Sequence, residues 1–240
     1  MDYGIQLYSV RDSIAKDYRE TLRAMAALGY RQVELFGGMG PGAETLKAWL
    51  SECGLAAFGT HTGADALAPQ RLAQTIADHQ TIGCKNLIVP GHDFSTRGKL
   101  DAFIALANAV QPALAAAGIT LGFHNHSSEF MPNQDGQIPY DELRRRTRIG
   151  LELDIYWAYN AGQDPLALMD DLGERLMAVH LKDGLPGGEG KPLGLGTAPV
   201  KAVWEKAREK RVPIIVESET LTPDGPTEAK ICMEYLRELE

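Results

Sequence analysis

The stretch Ile119–Phe130, which reads ITLGFHNHSSEF, begins as an apolar run and ends in a group of polar side chains. In its first half Leu121 and Phe123 alternate with Gly122 and His124, which predicts a buried strand with apolar residues on one face. Two histidines, an amide and a carboxylate then follow close together. A strand that is apolar on one face and ends in imidazoles on the other indicates a functional site as well as a core.

Seven other apolar runs predict strands, and segments with helical spacing separate them. The eight predicted strands cover residues 5–10, 32–36, 56–61, 86–91, the opening stretch, 151–155, 177–182 and 213–217. Glycine follows most of the helical segments, as is common at helix C-termini. Eight strand–helix units, spaced by roughly 25 to 35 residues, are typical of a parallel sheet closed into a (β/α)8 or TIM barrel. We therefore predict a single α/β domain of this kind over residues 1–240. A doubly wound open sheet is the main alternative, but its dinucleotide fingerprint is missing after the first strand.

The composition is that of a globular protein and limits the classes of partner. The chain has 240 residues, of which 44% are hydrophobic, and its net charge is −8. An acidic chain is a poor partner for nucleic acid or an anionic membrane, because phosphate neutralisation needs clustered lysine and arginine. The three cysteines are far apart, the N-terminus leads directly into a strand, and no apolar run reaches the length of a membrane span. These features predict a cytoplasmic protein.

The inward-facing ends of the predicted strands are mostly polar. In a TIM barrel the active site lies at the C-terminal ends of the strands, and aliphatic positions face the helices. The inward strand ends are then Tyr8, Glu34, His61, His124, Asp154, His180 and Glu217. Because barrel interiors are normally filled with branched apolar side chains, stability does not require this convergence.

Four of these residues come from neighbouring strands five to eight and predict a metal site. They are His124, Asp154, His180 and Glu217. Two imidazoles and two carboxylates suit Mn²⁺, Co²⁺, Zn²⁺ or Fe²⁺, whereas an all-oxygen shell would favour Mg²⁺ or Ca²⁺; we expect one divalent ion and keep Mg²⁺ among the candidates. Without a cation, two carboxylates in a partly desolvated barrel mouth would cost several kcal/mol.

Five short strings along the chain carry a family resemblance. They are QLYSVR at 6–11, GFHNH at 122–126 with EF at 129–130, ELDIYW at 152–157, HLKD at 180–183 and IVE at 215–217. Together they resemble motifs of the sugar phosphate isomerase/epimerase family, the xylose isomerase-like TIM barrels. The resemblance implies one divalent metal held by residues that end strands five to eight, at the positions derived above.

The strand-five position departs from the family pattern. Epimerases of this superfamily usually carry a glutamate there, which serves as both metal ligand and proton-transfer base. This chain has His124 at that position and Glu129 five residues later. Either residue is a candidate ligand, and the departure argues against a symmetrical two-glutamate 3-epimerase mechanism.

The resemblance implies proton transfer on a keto-sugar or keto-polyol, and the residues supply candidates for each role. Glu217 is the expected base, with His126 or Glu129 moving the proton on the other side of an enediolate. Lys182 is positioned by sequence to neutralise the developing oxyanion, with a surface lysine as the alternative. The expected substrate-binding residues are Tyr8, Arg11, Glu34, His61 and Trp157.

Three other functions remain open at this point. A dehydratase of the inosose dehydratase type would use the same enediolate and differ by a leaving group at the β carbon. A nuclease of the endonuclease IV type would need further metals, for which six histidines are few. A barrel that binds a sugar without catalysis is the third option. The glycine-rich segment Gly184–Gly196 lacks Walker spacing, so we interpret it as a flexible cover, and the sequence leaves open whether the substrate is phosphorylated. The sequence also leaves open whether the chain forms a homo-oligomer.

Overall fold

Eight parallel strands close into a barrel in the computed structural model, which describes residues 2–240. The barrel strands are β1 (Gly4–Gln6), β2 (Gln32–Phe36), β3 (Ala56–His61), β4 (Asn86–Val89), β5 (Thr120–His124), β6 (Gly150–Asp154), β7 (Leu176–Leu181) and β10 (Ile214–Val216). They follow chain order around the ring, and β10 pairs with β1 to close it. The predicted (β/α)8 barrel is confirmed.

Helices connect the strands on the outside of the barrel. They are α1 (Arg11–Ile14), α2 (Tyr18–Leu28), α3 (Ala43–Cys53), α4 (Pro69–Ile82), α5 (Arg97–Ala116), α6 (Pro139–Arg146), α7 (Ile155–Asn160), α8 (Pro165–Leu172), α9 (Val200–Lys210) and α10 (Gly225–Leu239). Sequence signals explain their ends: the Asp17 carboxylate caps α2 by accepting the Glu20 N–H, and Gly29 ends it with φ 112°. Within residues 2–240, none of the helices has both the length and the apolarity needed to cross a membrane.

The first strand is shorter than its sequence suggests. It stops at Gln6, and Leu7–Val10 form a 3-10 turn. The Gln6 side-chain oxygen accepts the Tyr8 N–H at 3.0 Å, which stabilises the turn. The prediction that Tyr8 is the inward residue at the end of this strand is therefore wrong, and Gln6 occupies that position.

The strands separate two apolar regions. Outward residues such as Leu35, Phe123 and Leu153 form one continuous core with apolar helix residues. Ile88 and Ile215 are fully buried but lie apart from that core. They fill the barrel interior below the polar strand ends, so the polar layer rests on a packed apolar floor.

Met177 completes this floor because the pairing of β6 with β7 shifts register between Leu151 and Glu152. The shift brings the Met177 side chain against two glycines of neighbouring strands. A Cβ at Gly122 would lie 2.5 Å from the Met177 Sδ, and a Cβ at Gly150 would overlap both Sδ and Cγ. The two glycines therefore leave the space that Met177 occupies.

We expect Gly150→Ala to lower the free energy of unfolding by about 1–3 kcal/mol, because the added methyl overpacks the floor. Urea denaturation measures the change. In a Met177→Ala background the same substitution should cost clearly less, since the clashing atoms are gone. Equal costs in the two backgrounds would contradict this account of the floor.

The glycine-rich segment after β7 contains a hairpin where the sequence predicted a loop. Strands β8 (Asp183–Leu185) and β9 (Glu189–Lys191) pair antiparallel. Gly187 and Gly188 both have positive φ, which allows the tight connection between them. The hairpin begins three residues beyond the last barrel-facing imidazole, His180, and so lies at the rim of the barrel mouth.

Candidate active site

Buried polar side chains occupy the C-terminal half of the barrel interior. Each is less than 9% exposed, and together they are Gln6, Glu34, His61, His124, Glu152, Asp154, His180, Lys182 and Glu217. They are contributed by β1, β2, β3, β5, β6, β7 and the residues that follow β7 and β10. The alternation of side chains along parallel strands brings them to one interior, because every strand ends at the same face of the barrel.

The deeper residues form what we call the lower cluster: Glu34, His61, His124, Glu152 and His180. The Glu152 Oε2 lies 2.9 Å from His61 Nε2, 3.1 Å from His180 Nε2 and 3.4 Å from His124 Nδ1. The Glu34 Oε2 lies 2.7 Å from His180 Nε2 and 3.2 Å from His61 Nε2. Gln6 supports this arrangement by donating its side-chain N–H to the same Glu34 oxygen at 2.7 Å.

The residues nearer the mouth form the upper cluster: His124, Asp154, His180 and Glu217. One ligand atom of each lies within 4.8 Å of the others. The His180 Nδ1 lies 3.3 Å from Glu217 Oε2, so the two ring nitrogens of His180 face different clusters. The upper cluster has the four residues that the sequence predicted as metal ligands.

Lys182 is the counter-charge of the upper cluster. It is 1% exposed, and its Nζ donates to Glu217 Oε2 at 3.1 Å and forms a short contact with Glu219. It also lies 3.9 Å from Asp154 Oδ2 and 4.8 Å from the Trp157 ring centroid. The burial and these contacts exclude a surface position for this lysine.

Burial and neighbouring charges shift the pKa values in opposite directions. Burial raises the pKa of Asp154 to about 7, although Lys182 opposes the shift. Burial alone would also raise the pKa of Glu217, but Lys182 and His180 hold it well below its usual range. Burial lowers the pKa of His124 to about 3, so its ring is neutral at pH 7 and keeps a lone pair. Anionic oxygens beside a neutral imidazole are the donors that a divalent cation requires.

Unpartnered buried atoms test whether these residues fit a cation. Within residues 2–240, the buried side-chain atoms without a hydrogen-bond partner include Glu34 Oε1, His124 Nδ1, Glu152 Oε1 and Asp154 Oδ2. A buried acceptor without a partner costs about 1–3 kcal/mol. A cation bound by these lone pairs would remove that cost, so the donor set fits a divalent metal.

A cavity of about 330 Å³ opens above the clusters. Its lining includes His61, His124, His126 and Glu217. Its volume is in the range of small-molecule sites. The cavity gives a small substrate access to the edge of both clusters.

Aromatic and basic residues stand at the rim. The rings of Tyr8 and Phe36 pack edge to face at 5.4 Å, and both line the cavity. The Arg11 guanidinium lies over the Tyr8 ring and donates to the Glu219 carbonyl at 3.0 Å. Trp157, in α7, lies beside the His126 ring at 5.8 Å. The predicted substrate-binding residues Tyr8, Arg11 and Trp157 thus surround the mouth.

The structure distinguishes between the two candidate strand-five ligands, His124 and Glu129. His124 belongs to both clusters and Glu129 to neither. The Glu129 carboxylate accepts the His126 N–H at 2.8 Å and the Ser128 hydroxyl at 3.1 Å. These bonds hold Glu129 in the 3-10 turn Ser127–Phe130, beside a second cavity.

Sequence reasoning missed three residues of this centre. Glu152 precedes Asp154 by two positions, so the period of two that pointed Asp154 inward would also have found Glu152. The same period applied from Tyr8 leads to Gln6. Glu219 lies beyond the end of β10, where no strand periodicity applies, and only its contact with Lys182 identifies it. Glu34 and His61, predicted as substrate residues, lie in the lower cluster, with His61 alone reaching the cavity.

Comparison with known proteins identifies the family. The model of the xylose isomerase-like TIM barrel family matches residues 22–239. The chain belongs to the xylose isomerase-like TIM barrel family. No curated protein matches the chain significantly by sequence.

Solved structures of xylose isomerase-like barrels and related proteins share the fold. A sugar phosphate isomerase/epimerase from Parabacteroides distasonis is 23% identical with a TM-score of 0.83, over 99% of this chain and 98% of that one. The probable 3-DHS dehydratase AsbF from Bacillus anthracis is 12% identical with a TM-score of 0.76, over 99% of both chains. D-allulose 3-epimerase from Methylomonas sp. is 16% identical with a TM-score of 0.71, over 100% of this chain and 98% of that one. At these identities the likeness shows the common fold.

Proposed function

We propose that the protein is a metal-dependent isomerase or epimerase of a keto-sugar or keto-polyol. The observation that carries this proposal is that two members of the upper cluster, His124 and Glu217, also line the cavity. Two structural neighbours named as sugar isomerases or epimerases support the substrate class.

The metal would be held by His124, Asp154, His180 and Glu217. Their mixed nitrogen and oxygen donors favour Mn²⁺, Co²⁺, Zn²⁺ or Fe²⁺ over Mg²⁺. A divalent cation held there would supply Lewis acidity to the substrate and would thereby acidify the C–H beside its carbonyl.

Glu217 is the proposed base that removes this proton. Its carboxylate reaches the cavity, and Lys182 and His180 favour its ionised form. The Lys182 ammonium, 3.1 Å from Glu217 Oε2, stabilises negative charge that develops on a substrate oxygen next to the base. His126 lines the same cavity and is the proposed group that moves the proton on the other side. Glu129 is less suited, because the turn holds its carboxylate.

Tyr8, Arg11 and Trp157 are proposed to orient the substrate. The Tyr8 ring packs on Phe36 and under Arg11, which fixes one wall of the cavity. Trp157 packs beside His126 and Lys182 on the other side. Walls of this kind exclude water and hold the reacting carbon near Glu217.

A dehydratase is the second candidate. Glu217 is the one carboxylate among residues 2–240 that belongs to the upper cluster and also lines the cavity. A single carboxylate base opposite an imidazole suits deprotonation on one side followed by loss of a β-hydroxyl. The dehydratase among the structural neighbours supports this alternative.

A nuclease of the endonuclease IV type, which would need a third metal, has less support. Of the remaining histidines, His79 bonds to Thr60 and to the Thr75 carbonyl at 2.7 Å each. His92 packs on Phe94 and Phe103. Neither belongs to the clusters, and the net charge of −8 disfavours a DNA backbone as partner.

We expect the metal-loaded protein to incorporate solvent deuterium into a keto-sugar. The protein is incubated in D₂O with a panel of keto-sugars and keto-polyols, the metal is removed on a chelating resin, and proton NMR locates the exchanged carbon. Exchange with the hydroxyl groups retained supports an isomerase or epimerase, whereas exchange with loss of a β-hydroxyl supports the dehydratase. Chelator-treated protein is the control and should give no exchange. Exchange that is equally fast without metal, or no exchange with any member of the panel, would contradict the proposal.

A further inference from the structure

We propose that the lower cluster holds a second divalent cation, bound by Glu34, His61, Glu152 and the Nδ1 of His124. This site lies deeper in the barrel than the upper cluster, because Glu152 precedes Asp154 on β6 and Glu34 lies inside β2. It shares His124 and His180 with the upper cluster, whereas Glu34, His61 and Glu152 are its own.

The distances between donors fit a common cation. With metal–ligand bonds of about 2.1 Å, neighbouring donors in tetrahedral or octahedral geometry lie about 3.0–3.4 Å apart. The Glu152 Oε2 lies 2.9 Å from His61 Nε2 and 3.4 Å from His124 Nδ1. The His61 Nε2 lies 3.2 Å from Glu34 Oε2. These three donor pairs are spaced as neighbouring ligands of one ion, and Glu34 joins the set through its distance to His61.

Hydrogen bonds alone do not satisfy this cluster. His61 Nε2 faces Glu34 Oε2 and Glu152 Oε2, and His180 Nε2 faces the same two oxygens at 2.7 and 3.1 Å. Each nitrogen carries at most one hydrogen, so four short contacts have two protons between them. Three further atoms, Glu34 Oε1, Glu152 Oε1 and His124 Nδ1, have no partner although their residues are at most 2% exposed. A cation accepts several lone pairs at once and would therefore take the place of the missing hydrogen-bond donors.

The charge balance points the same way. Lys182 offsets part of the negative charge of the upper cluster, but no lysine or arginine of residues 2–240 forms an ion pair with Glu34 or Glu152. Two carboxylates and neutral imidazoles carry a charge of −2, which one divalent ion cancels. Without a cation, only protonated histidines could balance the charges of these two buried carboxylates.

Both cations can be held by the residues present. When both ions are bound, His124 serves the lower ion, and three of the four ligands proposed above remain for the upper ion: Asp154, Glu217 and the Nδ1 of His180. The His180 Nε2 then donates to Glu34 at 2.7 Å. Three protein ligands leave positions for a substrate, as is usual in catalytic metal sites. Entry to the lower site is through the cavity, which His61 and His124 line. A histidine in place of the family glutamate on strand five supplies the nitrogen that this site needs.

Metal content of matched variants tests the second site without measuring turnover. The full-length protein is stripped with a chelator, dialysed against Zn²⁺ or Co²⁺, and analysed by mass spectrometry of the metal; the visible spectrum of the Co²⁺ form reports the ligand field. We expect two ions per chain in the wild type and one in Glu152→Gln. Asp154→Asn is the matched control: it lies two residues away on the same strand, is equally buried, and should also bind one ion, with a different Co²⁺ spectrum.

The outcomes separate this inference from the proposed function. One ion per chain that Glu152→Gln keeps and Asp154→Asn loses would overturn the second site and leave the proposed function standing. One ion that Glu152→Gln loses and Asp154→Asn keeps would support the lower site and contradict the metal assignment of the proposed function. If Glu152→Gln does not fold by circular dichroism, His61→Gln at the cavity edge replaces it and should lower the metal content from two to one; unchanged content would overturn the inference.

Discussion

Glu217→Gln is expected to lower kcat by about 10³-fold or more, because it removes the proposed base and a proposed metal ligand together. The substitution keeps the size of the side chain and removes its charge. It also removes the buried charge that pairs with Lys182 and His180, so the free energy of unfolding should fall by about 3 kcal/mol, while the apolar floor and outer core stay intact. Rates of deuterium incorporation and of product formation, together with a urea denaturation curve, measure both effects.

Glu219→Gln is the matched control for this result. Glu219 also contacts Lys182, but it is the more exposed of the two carboxylates and belongs to neither cluster. We expect its loss to lower kcat by about tenfold at most, through the position of Lys182. A Glu217→Gln protein that retains wild-type turnover, or a Glu219 variant that is equally inactive, would contradict the assignment of the base.

Asp183→Ala should destabilise the protein by about 3 kcal/mol, because the Asp183 carboxylate accepts four backbone N–H groups at once. Its Oδ1 accepts from Gly184 at 2.8 Å and Ala198 at 3.1 Å, and its Oδ2 accepts from Gly194 and Gly196 at 2.9 Å each. Asp183 is 2% exposed, so water does not readily replace the carboxylate. Urea denaturation gives the loss of free energy, and hydrogen exchange should show faster exchange over residues 184–198.

Two further variants sharpen the Asp183 prediction. Asp183→Asn should be nearly as damaging, because one of its two terminal groups becomes an N–H donor that faces other donors. Asp164→Ala is a control for an ordinary carboxylate cap: it removes bonds to the Leu166 and Ala167 N–H groups at the start of α8 and should cost about 1 kcal/mol. If Asp183→Ala lowers the free energy of unfolding no more than Asp164→Ala does, the Asp183 carboxylate does not stabilise residues 184–198 as proposed.

The period of two along the strands predicted most of the buried centre. It placed Glu34, His124, Asp154 and His180 inside the barrel, where the structure has them. This works because the side-chain alternation of a strand is local, and the apolar partners of these residues could only face the helices. The same reasoning failed at Tyr8, since a side-chain bond from Gln6 turns the chain out of the strand before Tyr8 is reached.

The arrangement within the centre could not be derived from periodicity. The burial of Lys182, the placement of Glu129 in a turn and the approach of Glu34 to His180 each join residues far apart in the chain or depend on a loop. The floor under the clusters depends on a register shift between β6 and β7, which inserts Met177 beside Gly122 and Gly150. Register between strands is set by packing across the sheet, so it cannot be inferred from the sequence of a single strand.

The sequence by itself determined the barrel, its strand order and the face on which polar residues gather, because apolar alternation, helix spacing and glycine helix ends are local properties. Only the tertiary structure decided that these residues form two layers of donors that share His124 and His180. That division depends on the depth of each side chain along the barrel axis, which is fixed by the stagger of neighbouring strands. For His180 it sets one ring nitrogen against Glu217 and the other against Glu34.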